Sequence, residues 1–205
     1  LGEGTQSTTR VVDLSKYGNN GTCIYSNTCN YTTGRWNQGI RFNGTNYITN
    51  TSSMGLEAKN LTVSLWAYIY STGFHSEEFP HGSVLISKGR GTTFAPYLSW
   101  MIAYNYSVGG SPRMLMGVFG FNGAANNELI TGTTYNFNQW YHLAITYNST
   151  TAAFYVDGIK RNTTVNTNGI DYTTDFGGGG NKDLVIGAWF PDDPSDVYDR
   201  YSNAT

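Results

Sequence analysis

Apolar and polar side chains alternate with a period of two along most of this chain, and that alternation limits what it can fold into more than any other feature. Val63, Leu65, Ala67 and Ile69 alternate with Ser64, Trp66, Tyr68 and Tyr70. Successive side chains of a strand point to opposite faces, so this run reads as a strand covered on both sides. Trp140–Tyr147 repeats the pattern, as do Asp183–Trp189 and Ala152–Val156, the last followed by the tight-turn pair Asp157-Gly158. Gly39–Gly44 and Tyr47–Thr49 read as one bent strand turning at Asn43-Gly44. Ser83–Ser87, Tyr97–Tyr106, Arg113–Phe121 and Glu128–Thr131 complete the set, and no segment carries a capped helical stripe. Strands recurring every 10–15 residues, with Gly, Asn and Asp between them, predict an all-β fold, a two-sheet antiparallel β-sandwich.

The 205 residues show no compositional break and no internal repeat, which predicts one domain over 1–205 whose polar residues 1–10 form an extended arm. Gly177–Gly180 is a low-complexity tract short enough to be a loop. Hydrophobic residues, 39% of the chain, suffice for a core, while charged residues are only 13%. That is about half the ordinary share, so Asn, Thr, Ser, Tyr and Gly must carry solubility. A net charge of −2 leaves no electrostatic footprint for nucleic acid and no basic patch for an anionic membrane. No apolar run is long enough to span a bilayer. The chain starts at Leu1 rather than Met and reads as a processed product or a fragment, with any signal peptide or anchor outside it.

Nine Asn-x-Ser/Thr sequons begin at Asn20, Asn30, Asn43, Asn50, Asn60, Asn105, Asn148, Asn162 and Asn203. Each needs an exposed position to carry a glycan. An Asn-, Ser- and Thr-rich composition produces several by chance; the set as a whole points to a secreted or cell-surface glycoprotein. Cys23 and Cys29 enclose Ile-Tyr-Ser-Asn-Thr, and their even count and close spacing predict a local disulfide in an oxidising compartment. Such a small ring is worth roughly 2–2.5 kcal/mol by chain entropy. The alternative is a pair of free thiols. Zinc is not expected, because two Cys without nearby His cannot build a four-ligand site.

Several segments carry a further pattern. Val12-Asp13-Leu14-Ser15 followed by Gly18–Thr22 is similar to an opening D-x-S-G-x-x-N-x-G-T. Gly39–Gly44 with Tyr47-Ile48 is similar to G-x-A-x-x-F-D/N-G-x-x-Y-V, and Leu61–Trp66 to F-T-V-S-L-W. Trp140–Tyr147, Phe154–Gly158 and Leu184–Gly187 are similar to W-H-H-V-A-x-T-Y, L-Y-V-D-G and L-x-I-G. In this order, over residues 12 to 189, they resemble the laminin-G-like jelly-roll group of the concanavalin A-like lectin/glucanase superfamily. The resemblance implies a concanavalin A-like jelly roll serving as an adhesion, lectin-like or accessory module, in some members with calcium. It brings Asp13, the loop around Asn19 and Asn43 to one edge as a calcium-ligand set, where six to eight oxygens are needed. The family usually ends in a strand of the type G-x-I-D-x-V-R-I-Y, whose Asp often completes that set. Here the sequence stops at Tyr201–Thr205, where that strand should begin. Three explanations stand in order: the strand lies downstream of a trimmed sequence, Val185–Trp189 closes the fold, or another subunit donates a strand, with Leu1–Arg10 as the candidate donor.

Catalytic patterns are missing. The related glucanases carry Glu-x-Asp-x-x-Glu, two carboxylates at glycosidase spacing, and no such string occurs. Glu77-Glu78 and Asp192-Asp193 are adjacent pairs, which a strand would send to opposite faces. His75 and His81 flank Glu77 and Glu78 but match no zinc spacing and read as a solvated loop insertion. His142 reads as a packed structural residue, and no G-x-S-x-G is present. Asp192, Asp193, Asp196 and Asp199 form a second acidic cluster, either a calcium site or a solvated loop. Aromatics are 15% of the chain, and Trp100, Tyr104 and Tyr106 share one parity. On a concave sheet they would stack on sugar rings; packing on the opposite sheet or on a subunit are the alternatives. The expectation is therefore a non-catalytic extracellular glycoprotein module for adhesion or for carbohydrate or protein binding. Its expected partners are glycans, surface proteins or copies of itself, and its expected cofactor is calcium. The alternative is a structural subunit of an extracellular filament or surface layer, joined by strand exchange at an open edge.

Overall fold

The computed structural model describes residues 9–24, 28–43, 46–50, 56–70, 82–89, 98–105, 113–123, 127–172 and 183–188. The strands in chain order are β1 (Arg10–Val11), β2 (Gly21–Ile24), β3 (Tyr31–Thr33), β4 (Gln38–Ile40), β5 (Tyr47–Asn50), β6 (Leu61–Tyr68) and β7 (Gly82–Lys88). They continue as β8 (Trp100–Asn105), β9 (Met114–Phe119), β10 (Asn127–Thr134), β11 (Trp140–Tyr147), β12 (Thr151–Val156), β13 (Ile159–Val165) and β14 (Leu184–Ile186). Among the described residues there is no α-helix.

Two antiparallel sheets of unequal width face each other. The large one has eight strands in the order β1-β2-β5-β14-β7-β8-β9-β10, and the small one has four in the order β13-β12-β11-β6. The β-sandwich expected from the alternation is the fold. β3 and β4 form a hairpin of their own. At the β12–β13 turn Asp157 and Gly158 both take positive φ, 51° and 77°, as a two-residue hairpin turn of the primed type requires.

The core lies between the sheets. Trp100, Ile102 and Tyr104 of β8 and Leu115 and Phe119 of β9 pack with Leu143 and Ile145 of β11 and Phe154 of β12. A Cβ at Gly117 would lie 2.5 Å from Ile145 Cγ2 and 3.0 Å from Phe154 Cδ2, so the sheets approach there too closely for any side chain. The large sheet is buried on its other face as well, where Val84, Leu98, Met101, Ala103, Met116 and Val118 cluster. A third cluster gathers Val11, Cys23, Cys29, Ile40, Phe42 and Ile48, and the expected Cys23–Cys29 disulfide lies within it.

Three expectations change. Gly39–Thr49 is not one bent strand: β4 pairs with β3, while β5 joins the large sheet. Asn46 makes the break, accepting the Asn43 N–H at 2.9 Å and donating to the Arg41 carbonyl at 3.1 Å. The arm ends short of Arg10, which pairs with Thr22 in its own sheet; residues 1–8 lie outside the described residues. Val185 does not close an edge, for β14 sits inside the large sheet with Val185 opposite Thr49 on one side and Ser87 on the other. No helix among the described residues is long and apolar enough to cross a membrane.

Candidate functional site

Trp100 and Tyr104, expected as a sugar-stacking row, are 2% and 0% exposed and belong to the inter-sheet core. The shared parity was real, but it faces the opposite sheet, and Tyr104 packs edge-on to Tyr135 at 5.8 Å. Their apolar area is thus spent on the fold and offers no ligand surface. Tyr106 lies outside the described residues.

A different aromatic surface lies on the outer face of the small sheet. In the β6–β11 register Trp66 stands opposite His142 and Tyr68 opposite Trp140. Ala67, Tyr141 and Leu143, the alternate positions, are buried in the core, so the first four side chains must point outward. Trp66 and His142 are 5.2 Å apart between ring centroids, Tyr68 and Trp140 5.4 Å, and Tyr68 and Tyr70 4.8 Å. The tip of the β3–β4 hairpin extends this strip. Gly34 donates its N–H to the Asn37 carbonyl at 2.9 Å, Asn37 takes φ 56°, and the turn between them presents Arg35 and Trp36. Trp36 meets Trp66 edge-on at 6.5 Å. Trp36 is 68% exposed and Trp66 38%, so both indoles keep surface in contact with solvent. The signal was present in the sequence, since Trp66, Tyr68 and Tyr70 share a parity with the polar Ser64 rather than with Val63 and Leu65.

Cations accompany the rings. The Arg35 guanidinium lies 5.2 Å from the centroids of both Trp36 and Trp66, and that of Arg41 lies 4.9 Å from Tyr70. Each such contact is worth about 0.5–1 kcal/mol at an exposed site. Among the described residues the one salt bridge joins Lys88 to Glu57 at 3.8 Å, so neither arginine meets a carboxylate there. Backbone bonds fix the far end of the row, where Asp157 N–H donates to the His142 carbonyl and His142 N–H to Asp157 Oδ1, each at 2.8 Å.

The expected calcium ligands are arranged otherwise. Asp13 Oδ1 accepts the Ser15 N–H at 2.8 Å, and Oδ2 accepts the Ser15 hydroxyl at 2.8 Å and the Asn19 N–H at 2.7 Å. These donors, the Ser15 N–H first, hold the Asp13 carboxyl below its ordinary range. The Asn19 donor is its backbone N–H. Asn43 is exposed, its N–H on Asn46. Among the described residues no three His, Cys, Asp or Glu side chains gather to hold a metal. Asp192, Asp193 and Asp196 lie outside the described residues.

The sequons sort by exposure. Asn30, Asn43, Asn60 and Asn148 are exposed, and Asn162 is half-buried. Asn50 departs from expectation: it is 6% exposed and donates its side-chain N–H to the Asn20 carbonyl at 2.9 Å, which leaves no room for a glycan. Asn20 is committed at both ends of its amide, accepting from Asp13 N–H and donating to the Gly18 carbonyl, each at 2.9 Å. The Asn105 side chain and Asn203 lie outside the described residues.

Against known proteins, the family model for laminin G-type domains of the concanavalin A-like lectin/glucanases superfamily matches residues 42–196. The opening Asp13 motif falls before that stretch. No curated protein sequence matches the chain significantly. Among solved structures, domain 4 of an extracellular arabinanase from Geobacillus stearothermophilus, in complex with arabinotriose, is similar at 18% identity and TM-score 0.55, over 97% of this chain and 88% of that one. Tailspike protein 2 of an Escherichia coli O157:H7 bacteriophage is similar at 13% identity and TM-score 0.54, over 99% of this chain and 25% of that one. Domains LG4-5 of the mouse laminin alpha1 chain are similar at 11% identity and TM-score 0.51, over 77% of this chain and 36% of that one. With a family match over most of its length and a sandwich built to the same plan, the chain belongs to the laminin G-type family of the concanavalin A-like lectin/glucanases superfamily.

Proposed function

We propose that this domain is a non-catalytic carbohydrate-binding module of an extracellular glycoprotein, and that it holds its ligand on the aromatic strip of Trp36, Trp66, His142, Tyr68, Trp140 and Tyr70. The observation that carries this reading is Trp36 and Trp66, exposed and meeting at 6.5 Å on an outer sheet face. The electron-rich face of an aromatic ring attracts the positively polarised C–H groups of a sugar ring, and the polar hairpin and sheet edges around the strip supply hydrogen bonds. The sequence has no paired carboxylates of the glucanase type, which supports binding without hydrolysis. A buried disulfide and exposed sequons fit an oxidising, extracellular setting, with N-linked glycans as covalent partners. The arabinanase domain named above was solved with arabinotriose, so a sandwich of this fold accepts an oligosaccharide.

Trp66→Ala tests the reading. Binding to the best ligand on a glycan array weakens by roughly ten- to hundredfold, as for a buried aromatic anchor, while the circular dichroism spectrum is unchanged. Undiminished binding would move the site elsewhere. Calcium is a separate proposal. A calcium ion held at the Asp13 loop would raise the melting temperature and a chelator would lower it; a melting temperature indifferent to both overturns that proposal.

A further inference from the structure

We infer that the free edge of β6 pairs with the same strand of a second copy, joining two domains as a closed two-fold dimer. Among the described residues the sandwich has β1 and β10 as the edges of the large sheet and β13 and β6 as those of the small one. An exposed edge invites pairing with another chain unless charge, shortness or an irregular ladder blunts it. β1 is two residues long and carries Arg10. The β10 ladder shifts register between Ile130 and Thr134. β13 holds Lys160 and Arg161, both exposed, and its ladder shifts between Phe154 and Tyr155. β6 has none of these devices. Its residues, Leu-Thr-Val-Ser-Leu-Trp-Ala-Tyr, include no charge and no proline, and they pair with β11 in unbroken register from Leu61 to Tyr68.

The core is open on that side. Leu61, Val63 and Leu65 stand on the core face of β6, opposite Tyr147, Ile145 and Leu143 of β11. The β11 residues are no more than 2% exposed, whereas the three on β6 are only half-buried. The apolar row thus ends with its last members still in water, and a further strand would cover them. Among the described residues none does so. The β3–β4 hairpin reaches Trp66 through side chains and pairs with no strand of the small sheet.

The partner is read from the edge itself. Leu-Thr-Val-Ser-Leu, residues 61–65, is nearly the same pattern in both directions. In an antiparallel pair centred on Val63, Leu61 meets Leu65 and Thr62 meets Ser64 of the second copy. Apolar side chains then lie together on the core face and hydroxyls on the outer face, with no charge facing a charge. The contact is self-complementary, so it closes at the dimer and grows no filament. It merges two four-stranded sheets into one and turns both aromatic strips the same way. Asn60 Oδ1 accepts from Ser149 Oγ on the β11 side of β6, which aims a glycan there away from the free edge.

Sedimentation equilibrium over a concentration series tests this. The wild-type domain is expected at twice the mass of the chain, and Ser64→Lys at the mass of one chain. Ser64 is exposed, so the change spares the core and the circular dichroism spectrum should not move. The two-fold sets the two lysines diagonally across the seam, within reach of each other, where like charges repel. Ser64→Glu is expected to be a monomer for the same reason, and an equal mixture of the two variants to recover the doubled mass. A wild type of single-chain mass at every concentration overturns the proposal and leaves the edge to another segment or protein. A dimer that Ser64→Lys leaves intact overturns it too, as does a mixture that stays monomeric.

Discussion

Asp13 spends its charge on the loop it belongs to. Three donors from Ser15 and Asn19 converge on its carboxylate, and its own N–H goes to Asn20 Oδ1. Its lowered pKa, caused first by the Ser15 N–H, has a direct consequence for stability. A carboxyl whose folded pKa lies below its ordinary value of 3.8 contributes stability that is fully present above that value. The contribution is lost as pH falls through the lowered folded pKa. Asp13→Asn should therefore lower the urea midpoint at neutral pH, with the gap to the wild type closing in strong acid. A gap independent of pH would mean that shape rather than charge closes the loop. The same residue shows why the metal expectation could be drawn but not settled from sequence: an Asp-Gly-Asn loop with carbonyls nearby reads equally as a cation cradle or as a self-satisfied turn, and only hydrogen-bond geometry separates them.

Strands were legible where one face met the core and the alternation stayed regular. β6, β11 and β12 follow their expected spans closely, because Leu143, Ile145 and Phe154 had to be buried on a fixed period. β1, β2 and β3 were missed, being two to four residues long and too short to show a period, and so was β13, whose Ile-Lys-Arg-Asn-Thr-Thr-Val is apolar only at its two ends. The binding strip was harder to see. Parity divides a strand into two faces without saying which one meets solvent, so Trp100 and Tyr104 looked as available as Trp66 and Tyr68. Burial of both faces of β8 decides against the first pair. Trp36 belongs to a hairpin tip that only tertiary packing carries to β6. Gly117 marks the tightest approach of the two sheets, and Gly117→Ala should cost about 1–3 kcal/mol by overpacking against Ile145 and Phe154. Denaturant unfolding measures this, and a loss within experimental error would mean that the sheets can part without penalty.

At the scale of the whole molecule, two exposed sequons lie away from the strip. Asn60 and Asn148 sit together, the Ser149 hydroxyl donating to Asn60 Oδ1 at 2.7 Å, at the end of the small sheet where Leu61 pairs with Tyr147. Trp66 is six residues further along, about 20 Å at strand rise. Glycans at Asn60 and Asn148 would leave the aromatic strip open. Peptide mapping of the protein expressed through a eukaryotic secretory pathway should find Asn60 and Asn148 modified and Asn50 bare; a glycan on Asn50 would require the β2–β5 region to open. Assembly into filaments by strand exchange remains a proposal whose donor lies mostly outside the described residues, and light scattering of the glycosylated protein measures it directly.

The three residues of β14 also govern when the two halves of the large sheet can join. They join β5 to β7, with Leu184 opposite both Asn50 and Lys88. Until they arrive, the large sheet is two ribbons, β1-β2-β5 and β7-β8-β9-β10, with facing edges that have no partner in sequence between them. A contact closing more than a hundred residues of chain, such as Thr49 to Asp183, is slow to form. During synthesis at the ribosome the facing edges of β5 and β7 therefore lack their partner, open to wrong pairing, until β14 emerges. The two halves of the large sheet are joined by a keystone of Leu184, Val185 and Ile186.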